Sequence, residues 1–157
     1  MRFWFDTEFH EDGRIIDLIS IGIVREDGAT YYAESDFAHE IAGSSEWLAK
    51  NVRPYLTGED KPRRVIAREI VEFADKEFEL WAYYGAYDWV VLCQLYGRMI
   101  DLPKGWPMFC CDLKQMCVKA GNPQLPKQTS VEHNALADAR WTKEAWEWLV
   151  RGAYQKN

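Results

Sequence analysis

Phe3-Trp4-Phe5-Asp6-Thr7-Glu8, residues 3–8, opens the chain with three large apolar side chains and runs straight into two acids. An apolar run of this kind reads as a strand, and one that should be central. A second β-rich run, Ile15 to Val24, follows a turn at Glu11-Asp12-Gly13. Glu26-Asp27-Gly28 then reads as a hairpin turn into a third strand near Thr30 to Ala33. Three strands joined by short turns make an antiparallel meander, with the opening strand at its centre once later strands join it.

Helical signals take over downstream. Asp60 reads as a cap with Pro62 in the first turn, and Ile66, Ile70, Ala74 and Phe78 recur every four residues. Trp47 and Leu48 mark a shorter helix before it. Leu80 to Tyr84 is a compact strand ending at Gly85-Ala86-Tyr87-Asp88, and Val91, Leu92, Leu95 and Met99 predict a helix stopping near Gly97. After a loop with Pro103, Gly105 and Pro107 comes a short strand, Met108–Cys111, then a helix from about Asp112 to Ala120 ended by Gly121. Residues 122–132 read as the longest loop.

The last helix divides by angle. At ~100° per residue from Trp141, Asp138 falls near 60°, Ala145 near 40°, Trp148 near −20° and Leu149 near 80°. Arg140, Lys143, Glu144, Glu147 and Arg151 lie opposite. Asp138 is thus a charge on the apolar face and needs a partner there. Trp146, near 140°, marks the margin of that face and is the residue expected at a homodimer interface. The resulting fold class is α/β, a mixed five-stranded sheet of a three-strand antiparallel meander plus two parallel strands, flanked by helices.

Composition narrows the function. The 157 residues carry 19 Lys+Arg against 25 Asp+Glu, a net charge of −6, and the length predicts a single domain over residues 1–157. Eight Trp, eight Tyr and seven Phe supply packing area enough to form a core without disulfides. Cys93, Cys110, Cys111 and Cys117 lack the C-x-x-C pairs of a zinc site and read as reduced structural thiols. No run approaches the ~18 apolar residues of a membrane span; with no leader pattern, the expected compartment is the cytoplasm. The acidic balance excludes gripping long nucleic acid by general phosphate neutralisation. The densest basic group, Lys61, Arg63, Arg64 and Arg68, fits a solvated helix face.

The acids carry the chemistry. Side chains at i and i+2 of a strand share a face, so Asp6 and Glu8 project together. Alone, the pair also fits a solvated strand end. Left close they repel, and a divalent cation with a taste for oxygen removes the conflict. Asp88 follows the next parallel strand, where ligands gather in open α/β sheets, although it also suits a helix N-cap. Asp138 adds a fourth acid. His133, five positions before Asp138, suits general-base work near neutral pH, while a lone histidine also fits a packing role.

Phe5-Asp6-Thr7-Glu8-Phe9, Gly85-Ala86-Tyr87-Asp88 and His133-Asn134-Ala135-Leu136-Ala137-Asp138 together resemble the three motifs of the DEDDh exonucleases. The sister branch places a Tyr one position after the histidine; Asn134 stands there. The surrounding residues are most similar to a small bacterial and phage group of exoribonucleases related to RNase T and oligoribonuclease. The resemblance implies an RNase H-like fold and removal of nucleotides from single-stranded 3′ ends, RNA rather than DNA, using two divalent ions, Mg2+ or Mn2+. It implies Asp6, Glu8, Asp88 and Asp138 as metal ligands and His133 as general base. It also implies that the terminal nucleotide rests on backbone groups at Thr7, Glu8 and Phe9, close to His133. By their proximity to the motifs Phe9 and Tyr87 are the aromatics placed to stack on a base, and both equally fit plain core packing. An RNase H-like endonuclease and a non-catalytic nucleic-acid-binding module on the same fold remain as alternatives.

Overall fold

The computed structural model describes residues 1–74 and 77–154. Six strands form one mixed sheet in the order β4-β3-β2-β1-β5-β6. These are β1 (Arg2–Glu11), β2 (Ile16–Arg25), β3 (Thr30–Ser35), β4 (Asp60–Lys61), β5 (Glu79–Ala82) and β6 (Cys111–Asp112). β1, β2 and β3 are the antiparallel meander, and β3–β4, β1–β5 and β5–β6 pair in parallel. This is the RNase H-like mixed sheet that was expected, with one strand more than the five read from the sequence.

The sixth strand is β4, where Asp60 was read as a helix cap. It has two residues, too few for any period to show. Its position is set from a distance: the buried Glu34 carboxylate accepts the Thr57 and Gly58 N–H groups at 2.6 and 2.9 Å, and the Tyr32 hydroxyl at 2.8 Å. Those bonds draw the chain alongside β3 just before Asp60 pairs with Glu34.

Among the described residues, six α-helices complete the fold: α1 (Ala38–Ile41), α2 (Glu46–Asn51), α3 (Arg63–Phe73), α4 (Ala86–Gln94), α5 (Leu113–Lys119) and α6 (Ala135–Tyr154). α3 stops at Phe73, so Ala74 caps it and Phe78 lies beyond it, its ring against Phe3 and Trp106. α4 stops at Gln94, and Met99 belongs to a separate 3-10 turn, Met99–Asp101. Phe3 and Phe5 face α3 and α4 in one core cluster with Ile66, Ile70, Val91 and Leu92. Burial contributes about 1.5–3 kcal/mol for each large apolar side chain. Trp4, alternating to the other face, packs on Trp146 of α6 with ring centroids 5.4 Å apart.

That contact corrects the reading of α6. Its buried positions are Ala135, Ala139, Thr142, Ala145 and Leu149, an arc from about 40° to 160° on the same wheel. Alanines lie nearest the sheet, which admits the helix backbone closely, so the indoles fall at the edges. Trp146 turns inward against Trp4 and Trp81, with the Arg2 guanidinium over its ring, and it is Trp148 that is exposed. Lys61, Arg63 and Arg68 pair with Glu69, Asp17 and Glu72, as a solvated face does. Cys93 and Cys117 are buried thiols. No helix among the described residues is long and apolar enough to cross a membrane.

Candidate active site

The site begins where a strand ends. β5 pairs with β1 only from Arg2 to Trp4, so the second half of β1 has one open edge. Asp6, Thr7 and Glu8 lie on that half. In place of a strand neighbour, the Asp88 carboxylate arrives from the first turn of α4. Its Oδ1 accepts the Thr7 N–H at 2.8 Å and the Thr7 hydroxyl at 2.7 Å. Asp88 is not the helix cap: Gly85 holds that position without a side-chain cap. Thr7 therefore commits both of its donors to locating Asp88.

On the opposite face of β1, Asp6 and Glu8 look towards α6. The β1–β2 ladder shifts register between Glu8 and Phe9, placing Ile19 out of step and Glu8 opposite Ser20. Bulges of this type re-aim neighbouring side chains. Asp6 stands opposite Gly22, and that glycine decides how near α6 can come. A Cβ at Gly22 would lie 2.3 Å from the Leu136 nitrogen and 2.4 Å from the Ala135 carbonyl. The first turn of α6 thus rests on bare backbone, and Asp138 and His133 ride in with it.

The α6 entrance is built by short bonds. The Asn134 side-chain oxygen accepts the Ala137 N–H at 3.0 Å, closing the helix start. His133, just before it, takes a left-handed φ of 63°. That turn points its N–H at Asp138 Oδ2, at 2.9 Å, while the Gln128 amide donates to Oδ1. These are the partners that the half-buried charge on α6 required. No sequence signal marks Gln128, because it lies in an irregular loop whose contact with Asp138 has no characteristic spacing. The His133 ring meets the Trp47 indole edge to face, centroids 4.8 Å apart. Trp47 was read only as part of a helix; nothing local to it predicts contact with a residue 86 positions away.

Ligand atoms of Glu8, His133 and Asp138 lie within 4.8 Å of one another, close enough to share one ion. Asp6 and Asp88 are not in that group, yet they are electrostatically joined to it. Burial first, then the charges of Asp88, Glu8 and Asp138, hold the Asp6 carboxyl well above the carboxylate range. Burial, with Asp138 and Asp88, pushes Glu8 up to about 8. Burial raises Asp88 to about 6 against the lowering effect of the Thr7 bonds. Asp138 is raised by burial and partly relieved by Gln128 and His133. Four hard oxygen donors that repel one another in a partly dry pocket are suited to a divalent cation. Phe9 and Tyr87 sit together nearby, rings 5.7 Å apart and edge to face, with Tyr87 half exposed.

Fold and site define an RNase H-like protein with an acid- and histidine-lined centre able to take a divalent ion. Residues 1–150 match the family described as the 3′-5′ exoribonuclease Rv2179c-like domain, and the chain belongs to that family. It is similar to the 3′-5′ exoribonuclease Rv2179c of Mycobacterium tuberculosis strain H37Rv, 44% identical over 149 residues, 89% of this chain and 88% of that protein. The 3′-5′ exoribonuclease MT2234.1 of strain CDC 1551 matches with the same identity and coverage.

Proposed function

We propose that this chain is a DEDDh-type 3′–5′ exoribonuclease, residues 1–157 acting as a single catalytic domain on single-stranded RNA ends. What supports this most is the gathering of Glu8, His133 and Asp138 ligand atoms within 4.8 Å, with the charges of Asp6 and Asp88 acting on the same acids. The relatives' activity, carried by their names, agrees with it. Asp6, Glu8, Asp88 and Asp138 would hold two divalent ions, Mg2+ or Mn2+. Bound there, such ions neutralise phosphate charge and acidify the attacking water.

The chain's own groups supply the rest. A ring nitrogen of His133 accepts the proton of the water that attacks the terminal phosphodiester. The new P–O bond forms as the bond to the penultimate 3′-oxygen breaks, and that oxygen takes a proton from solvent. The products are a nucleoside 5′-monophosphate and a chain one nucleotide shorter. Glu8 and Phe9, with the Thr7 backbone, line the floor for the terminal nucleotide. Phe9 and Tyr87 offer a ring surface on which its base can stack, at about 1–3 kcal/mol per stacked base.

The test is digestion of 5′-labelled single-stranded RNA with Mg2+ or Mn2+. The expected result is a ladder shortening by one nucleotide from the 3′ end, with monophosphates released from the first time point. Internal fragments appearing first would make the chain an endonuclease; tight binding with no cleavage would make it a binding module. Excess chelator is expected to stop the reaction, and His133→Ala to lower kcat by about 10²–10⁴-fold with the fold intact.

A further inference from the structure

Beside the acids, a cleft of about 530 Å3 runs from Asp6, His133 and Asp138 past Tyr83 and Trp141 to the loop at 122–128. Its walls are fixed. The Trp141 indole N–H donates to the Pro126 carbonyl at 2.9 Å, and Leu125 packs with Tyr83 and Trp141 against buried Leu113 and Cys117. Two lysines line this cleft, Lys114 and Lys127. Among the described residues neither forms an ion pair, whereas Lys61 and Lys143 are paired with Glu69 and Glu147. Lys114 is also held in place. Asp112 caps α5 by accepting the Lys114 N–H at 2.6 Å, burial of Leu113 and Cys117 fixes the helix rotation, and the ammonium lies 5.8 Å from the centre of the exposed Tyr84 ring.

The chemistry of a 3′ end says what these cations face. The terminal nucleotide is joined through one phosphate, the one being cut. Every other phosphate of the substrate lies on its 5′ side. A cation in the same cleft as the acids, but not among them, therefore has only upstream phosphates to meet. We propose that Lys114 and Lys127 form a phosphate track that holds the substrate one to two nucleotides upstream of the scissile bond. The track makes short RNA oligomers better substrates as they lengthen from two to four nucleotides. In a chain of net charge −6, and in a cleft that Asp6, Glu132 and Asp138 also line, the two lysines are the cationic groups that upstream phosphates meet there. This inference rests on the exonuclease reading of the same site.

The experiment compares oligoadenylates of two, three, four and five nucleotides, with Mg2+, on wild type, Lys114→Gln, Lys127→Gln and the double variant. In the wild type, kcat/KM is expected to rise about two- to fivefold for each of the first two added phosphates, the range of exposed ion pairs, and then to level off. The double variant is expected to flatten that series. The slope of log KM against log salt for the tetranucleotide should fall by about 1.4, about 0.7 for each lysine. Lys104→Gln, outside the cleft, should leave both the series and the slope as in wild type. Dinucleotide hydrolysis with a flat wild-type series, or a series unchanged in the double variant, overturns the track and leaves the exonuclease reading standing. No monophosphate from any length overturns that reading and the track with it.

Discussion

Glu8 shows what a single residue gives up for this site. Its carboxyl sits near Asp138 and Asp88 in a buried position and is pushed up to about 8. A group whose folded value is raised above its unfolded one stabilises the fold fully only below the unfolded value, near 4.5. That contribution is lost as pH rises towards the folded value. The metal-free protein is therefore expected to melt at progressively lower temperature between about pH 4.5 and 8. The cost attributable to such a group is at most about 1.4 kcal/mol for each pH unit crossed. Glu8→Gln removes the ionisation and keeps the shape. A thermal melt in chelator should show the variant melting above wild type at pH 8 and close to it at pH 5. Equal melting temperatures at both pH values would mean that the repulsion at Glu8 is relieved in some other way.

At the scale of elements, the junction of β2 with α6 governs the site. Gly22 lets the Ala135–Leu136 backbone rest directly on the strand, which puts His133 and Asp138 across from Asp6 and Glu8. Gly22→Ala introduces a methyl group where backbone stands 2.3–2.4 Å away. Backbone cannot rotate aside as a side chain can, so α6 must lift. The expected stability loss is about 1–3 kcal/mol by urea denaturation. Activity should fall by more than the folded fraction accounts for, because two of the five site residues move with the helix. The meander, α4 and α6 were legible because each carries a period or turn chemistry of its own. β4 was not, since two residues carry no period and its placement comes from Glu34 bonding a distant loop. Trp146 faces inward and Trp148 outward for a related reason: apolar bulk marks a helix face in the sequence, while close packing on a sheet favours alanine there. The acids and His133 could be picked out from type and spacing. Gln128 and Trp47, which hold Asp138 and His133 through loop and helix contacts, carry no such local mark.

Across the whole molecule, the site is where separate packing units meet. Asp6 and Glu8 belong to β1, Asp88 comes from α4 in the cluster on one face of the sheet, and Asp138 comes from α6 on the other. In the metal-free protein, the cost of burying these acids, with the repulsion among them, falls at this one point against the packing everywhere else. An ion that binds the folded chain and not the unfolded one reverses the sign of that contribution. At a concentration of about 100 times its dissociation constant it adds about 2.7 kcal/mol of stability. For a domain of this size that corresponds to a rise in Tm of about 5–10 °C. Scanning fluorimetry with Mn2+ against chelator, without any RNA, is expected to show this rise. Asp6→Asn removes one charge from the strand that both layers share, so the rise should shrink or vanish in that variant. It should persist in Asp101→Asn, whose carboxylate is engaged by Arg98 in the α4–β6 connection. A rise of equal size in wild type and Asp6→Asn would place the stabilising ion elsewhere on the acidic surface. The layers would then be held by packing alone, with no contribution from the cluster they enclose.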